Sequence, residues 1–382
     1  MPDQKPDLGE FYSILKSTSD SFEPSLSFLS RDWENVDEWR NDARKRIGDL
    51  LGFHPKDIAL NPVIESKSVT HGIVTETISY DLGYCSRTQG FFLYPESRGS
   101  KKLPGFLALH DHSGYYYFGK EKLVDTDIRS ESLSELKRTH YGGKSWASEL
   151  AAQGFAVLVI DVSLWGSRKV PIDTMNSDLI TLFDGLKEGS EDFIATFNQY
   201  WDSTEGQITI ATILNSGTCW PAIHLYEDQR SIDYILTRPE VDPERIGCGG
   251  LSMGGQRTLF LVGMDYRIKF GLCVGFMSTT REMLRNHIRG HGIGFLVPGL
   301  VRLMDLPDVI SLHAPSPLMV QYNNHDRIFS LEGQKSADRK IAEIYSRMGS
   351  RRNYAGRFYD GRHKFDSEMQ QDAFRWIEEQ VI

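Results

Sequence analysis

From residue 104 to the C-terminus, short uninterrupted apolar runs alternate with amphipathic segments, and few architectures tolerate that pattern. The runs "PGFLALHD", "FAVLVIDV", "RIGCGG", "FGLCVGFM" and "SPLMVQYNNHD" are too short and too continuously apolar for half-exposed strands. Between and after them lie "KSWASELAAQG", "QRSIDYILTRPEVDPE", "MGGQRTLFLVGMD", "GQKSADRKIAEIYSRMG" and a last segment from Asp366 to about Val381, all with helical spacing. Apolar strands joined by helices predict an α/β protein with a mostly parallel sheet covered by helices on both faces. Two β-branched and aromatic runs upstream, "VTHGIVTETISYDL" and "TQGFFLYP", read as an antiparallel pair.

Two stretches fall outside the alternation. Residues 1–60 read as an N-terminal helical extension, in which "VDEWRNDARKRIGDLLGF" places Trp39, Ala43, Ile47, Leu50 and Leu51 near a 3.6-residue spacing with Gly52 as the stop. Residues 61–382 then form the catalytic domain. Within it, residues 165–226 are long, aromatic-rich and partly helical, and read as a cap or lid inserted over the strand ends.

The bulk numbers exclude several classes. A net charge of −9 over 382 residues leaves no electrostatic footprint for nucleic acid or an anionic membrane. No window approaches the roughly 18 apolar residues that span a bilayer. The first residues lack a basic segment followed by an apolar run, so a cytoplasmic location is the expectation. Cys85, Cys219, Cys248 and Cys273 form no CxxC pair, which disfavours a zinc site and a disulfide framework. A homo-oligomer paired through the N-terminal helices stays open.

One short motif carries chemistry. In "GLSMG", Ser252 sits between Gly250 and Gly254, after a predicted strand and before a predicted helix, the context in which G-x-S-x-G is a nucleophile elbow. A serine hydroxyl needs a base, and the base needs an orienting acid. Asp326 ends the strand run "SPLMVQYNNHD", and His363 follows "YAGRFYDG", so the order is Ser, Asp, His. The amide of Met253 opens the helix as one oxyanion donor. The loop His110-Asp111-His112-Ser113-Gly114 offers the second, His112 first and Asp111 next. Tyr115, Tyr116, Trp165 and Trp220 are candidates to enclose a substrate, and Arg168 to hold a substrate carboxylate. A rival reading gives His110, Asp111 and His112 to a metal with His287 and His291. Adjacent residues at a strand end diverge and no HExxH accompanies them, so neither a metal nor any other cofactor is expected.

With these residues in hand the chain resembles the α/β-hydrolase superfamily, and within it the dienelactone-hydrolase-like and acetyl-xylan-esterase-like serine hydrolases. The features that carry this are "LALHDHSGYYYFGKEK", "VIDVSLWGSR", "GLSMGGQRT", "APSPLMVQYNNHDRIF" and "FYDGRHKF". The resemblance implies a small-molecule ester substrate, with the acetyl group of a carbohydrate as one form. Dienelactone hydrolases use a cysteine nucleophile, whereas this elbow carries Ser252, and Asp111 stands where relatives often have glycine. C–C or amide cleavage by the same three residues is the alternative. A binding protein built on this fold would ordinarily have lost one of them.

Overall fold

A computed structural model of the chain describes residues 5–175 and 177–381. Nine strands form one sheet: β1 (Val63–Thr70), β2 (Ile73–Tyr80), β3 (Thr88–Pro95), β4 (Leu103–Leu109), β5 (Ala156–Ile160), β6 (Val241–Leu251), β7 (Phe270–Val274), β8 (Leu318–Asn323) and β9 (Tyr354–Tyr359). Their spatial order is β1-β2-β3-β5-β4-β6-β7-β8-β9. The pairings from β1 to β5 are antiparallel, and all the others are parallel.

The apolar runs become the sheet centre. Every residue of β4, β5, β7 and β8 is buried. Side chains alternate between the two faces. Phe106, Ala108, Val157 and Val159 face one core with the helices Trp146–Ala152 and Ser367–Val381. Leu107, Leu109, Leu158 and Ile160 face the other with the helices Trp220–Thr237 and Met253–Met264.

The N-terminal helix Val36–Leu51 joins this second core through Trp39, Ala43, Ile47 and Leu51. Asn35 caps it by accepting from the amides of Asp37 and Glu38, and Gly52 ends it at φ 61°. Burying each of its larger apolar side chains contributes about 1.5–3 kcal/mol.

Two of these elements depart from the sequence reading. β1 is an additional edge strand whose residues are all exposed, so "VIESKSVT" carries no inward-facing apolar pattern to announce it. The helix expected to run to Glu244 stops at Thr237. Pro239 forces its predecessor out of the helical region, and Arg238 has φ −80°, ψ 123°. Residues 165–226 hold the helices Glu191–Trp201 and Thr204–Asn215 and lead into the helix that starts at Trp220. They meet a second segment, 278–312, at Gly294, where a Cβ would fall 2.6 Å from Ile210 and from Trp220. Both segments contribute residues to the cavity beside Ser252, at the C-terminal end of β6.

Candidate active site

Ser252 lies between β6 and the helix Met253–Met264, with φ 60° and ψ −119°. A positive φ on a non-glycine residue costs on the order of 1–3 kcal/mol and persists only where its surroundings impose it. Here the Ser252 amide donates to the Val274 carbonyl at 2.9 Å, and the Ser252 carbonyl accepts from Gln256 at 2.9 Å. The flanking glycines let the helix seat this low. A Cβ on Gly250 would lie 2.1 Å from the Leu109 carbonyl oxygen, and one on Gly254 would lie 2.2 Å from the same atom. The Met253 amide, first of the helix, has no carbonyl one turn back to receive it and forms part of the positive end of the helix dipole.

Asp326 and His363 come from the loops after β8 and β9. Those loops are zipped together: Asn324 donates to the Tyr359 carbonyl at 2.9 Å and His325 to the Gly361 carbonyl at 3.0 Å. His363 Nδ1 donates to Asp326 Oδ2 at 2.7 Å, while Asp326 Oδ1 accepts from the Ile328 amide at 2.8 Å. The Asp326 side chain is 1% exposed. With its Nδ1 proton donated in a hydrogen bond to the carboxylate, the imidazole presents a lone pair at Nε2, which is buried and meets no partner among the described residues. The ring lies over the end of β7, where a Cβ on Gly275 would be 3.0 Å from His363 Cε1. Ser252 and His363 border one cavity of about 430 Å³, facing it without a hydrogen bond to each other. Catalytic contacts commonly close only around bound substrate.

The loop after β4 is built on buried charge. The Asp111 side chain accepts hydrogen bonds from the hydroxyls of Ser113 and Tyr141. Burial raises its carboxyl, but Lys122, His140 and these two hydroxyls outweigh that and hold it well below the usual carboxylate range. Lys122 Nζ donates to the Asp111 carbonyl at 2.8 Å and to the His112 carbonyl at 3.1 Å. The His112 ring accepts from the Gly114 amide at Nδ1 and bonds Tyr116 Oη through Nε2 at 2.8 Å. Nδ1 is therefore unprotonated and Nε2 is the donor. Burial, with Lys122 nearby, lowers this imidazole to about 4.

The other residues singled out in the sequence divide. Tyr116 and Trp220 line the cavity, as do His112 and Ser113. Trp165 is fully buried, stacked between them with centroids 4.7 Å from Tyr116 and 5.1 Å from Trp220, so it supports the wall from behind. Tyr115 packs against the core on the opposite face of the sheet. Arg168 is turned inward, 3.1 Å from Glu227, and donates to the Ser86 carbonyl. A guanidinium so engaged is not available to a substrate carboxylate. His291 lines the cavity with Nε2 3.1 Å from the Ile328 carbonyl oxygen. Among the described residues no group of three or more His, Cys, Asp or Glu side chains is placed to hold a metal ion.

Part of the wall carried no sequence signal. His140, Asp202, Gln207, Phe276 and Phe295 also border the cavity. Behind Phe276, His291 and Phe295, whose rings stand 6.0–6.2 Å apart, lies a second chamber of about 570 Å³. Its lining is mostly apolar and includes Leu8, Leu15, Met283, Val297 and Leu300, with Asp7 and Arg289 also bordering it.

Sheet order, elbow and strand-end loops give the chain the α/β-hydrolase fold, and comparison with known proteins agrees on the fold. Among solved structures it is similar to "putative acetyl xylan esterase" of Bacteroides fragilis, at TM-score 0.68 and 17% identity, covering 91% of this chain and 82% of that one. It is similar also to the glucuronoyl esterase of Solibacter usitatus, at TM-score 0.63 and 13% identity, covering 95% and 98%. In sequence it is 25% identical over 317 residues to "Putative hydrolase YtaP" of Bacillus subtilis, covering 81% of this chain and 89% of that protein. No protein-family model matches the chain.

Proposed function

We propose that the protein hydrolyses carboxylic esters through an acyl-enzyme on Ser252. Ser252 Oγ attacks the ester carbonyl as its proton passes to His363 Nε2, and Asp326 holds the imidazolium that results. The amides of Met253 and of the loop after β4 receive the oxyanion. The tetrahedral adduct expels the alcohol, which takes the proton from His363. Water then attacks the acyl-serine with the same imidazole as base, and the carboxylic acid leaves. The observation that carries this reading is the convergence on one cavity of a serine held at positive φ and an imidazole whose other nitrogen is fixed by a buried carboxylate. The esterase names of structural neighbours that span nearly the whole chain support the bond type.

An acetyl ester of a carbohydrate is the substrate form this cavity suits best. Tyr116 and Trp220 contribute aromatic edges to its wall, and His140, Asp202 and Gln207 offer polar atoms for the hydroxyls of a sugar. The test is hydrolysis of p-nitrophenyl acetate, butyrate and octanoate by the wild type and Ser252→Ala, followed by acetylated sugars. The expected result is activity that favours the short esters and disappears in the variant. Undiminished hydrolysis by Ser252→Ala would overturn the reading.

A further inference from the structure

We propose that Lys122 is a positioning residue for the oxyanion hole, its buried ammonium aiming the amides of His112 and Ser113 into the catalytic cavity. This rests on the reading of Ser252 as nucleophile.

The side chain of Lys122 is completely buried. Removing an ammonium from water costs several kcal/mol unless it is fully engaged, so its partners show what it is there to hold. Its short contacts are the carbonyl oxygens of Asp111, at 2.8 Å, and His112, at 3.1 Å. The Asp111 carboxylate is more distant, at 3.7 Å, and accepts its hydrogen bonds from the hydroxyls of Ser113 and Tyr141. An ion pair alone would not need both backbone carbonyls. The neighbouring lysine is used differently: Lys120 pairs with Asp161 and Glu121, each at 2.7 Å. Lys122 is thereby left to the loop.

The consequence follows from peptide geometry. In a trans planar peptide the C=O of one residue and the N–H of the next point in opposite directions. With the carbonyls of residues 111 and 112 drawn onto Lys122, the amides of His112 and Ser113 must point the other way. His112 and Ser113 border the cavity that holds Ser252. A cation on the carbonyl side also polarises both peptides, so their N–H groups become stronger donors. Burial brings the lysine down to about 8, with Asp111 the main group acting against that shift. The groups facing it are Asp111, the carbonyls it binds, and the Trp165 ring at 5.9 Å.

The experiment compares Lys122→Met, Lys122→Gln and the double variant Asp111→Asn/Lys122→Met, which leaves no carboxylate stranded without its cation. Three readouts are taken: melting temperature, kcat and KM on p-nitrophenyl acetate, and inhibition by a boronic acid, whose tetrahedral serine adduct places an oxygen in the oxyanion hole. The expected result is a double variant that melts near the wild type with kcat lower by about 10²-fold and KM within about threefold. Boronate affinity should weaken in step with kcat/KM, because only the transition state uses these amides. A folded double variant with wild-type kcat, or a loss carried by KM with boronate affinity intact, overturns the proposal. So does failure of all three variants to fold, which would make Lys122 a residue of the fold alone. Ser252→Ala run beside them separates the two readings. If it keeps full activity the nucleophile assignment fails, whereas its inactivity beside unimpaired Lys122 variants fails the Lys122 proposal only.

Discussion

His363 Nδ1 and Asp326 Oδ2 lie 2.7 Å apart across 37 residues of sequence, because β8 and β9 are parallel neighbours whose following loops are hydrogen-bonded to each other. The pairing fixes one tautomer. Asp326→Asn keeps the shape but can offer an N–H to Nδ1, so the proton moves to Nε2 and the base is lost. On the proposed mechanism kcat should fall by about 10⁴ with KM little changed, measured by steady-state hydrolysis of p-nitrophenyl acetate. A variant with near-wild-type kcat would show that the imidazole is not the base.

An elbow glycine and a helix glycine predict opposite effects from the same substitution. Gly250→Ala sets a Cβ 2.1 Å from a backbone carbonyl that has no freedom to yield. It should cost more than about 3 kcal/mol of stability, or prevent folding. Gly48→Ala, inside the helix Val36–Leu51 with nothing within 4 Å, should stabilise by about 0.5–1 kcal/mol. Urea midpoints compare the two directly.

Buried histidines give stability a pH dependence with a definite sign. Burial lowers His110 to about 3, with Arg257 and Lys122 adding to the effect, and lowers His112 to about 4. Once unfolded, both titrate near the ordinary value of about 6.5. Between these limits the unfolded chain binds protons that the folded chain refuses. Stability should therefore fall as pH drops below about 6.5, by up to roughly 1.4 kcal/mol per pH unit for each histidine, with no such loss above it. Urea unfolding from pH 7.5 to 5 should show this, and His110→Gln should give a shallower slope. An unchanged slope would contradict the assignment.

Phe295 separates the catalytic cavity from the apolar chamber behind it. Phe295→Ala should join the two spaces and move the preference towards longer acyl chains. The ratio of kcat/KM for p-nitrophenyl octanoate over acetate should rise by about tenfold. An unchanged ratio would mean that the chamber is not reachable from Ser252.

The parallel sheet was legible because its strands are buried on both faces and so read as continuous apolar runs. The elbow was legible because a serine at positive φ beside close-packed backbone needs glycines at fixed offsets. Asp326 and His363 could be named from position, since each follows one of the last two strands. What escaped has physical reasons. β1 is wholly exposed and shows no inward face. The helical pieces of residues 278–312 run three to six residues, too short for periodicity to register, yet this segment supplies His291 and Phe295 to the cavity. Arg168 looked available because nothing near it in sequence reveals Glu227 as its partner. Lys122, within "GKEK", has the look of a solvated charge run. Only the fold shows it sealed beneath the loop.

The most direct test of the central claim is covalent. The wild type is treated with a fluorophosphonate, digested, and analysed by mass spectrometry for the modified peptide. A single adduct on Ser252 is expected, absent from Ser252→Ala and greatly slowed in His363→Ala. No labelling of a folded, ester-hydrolysing protein, or labelling at another residue with activity lost in parallel, would contradict it.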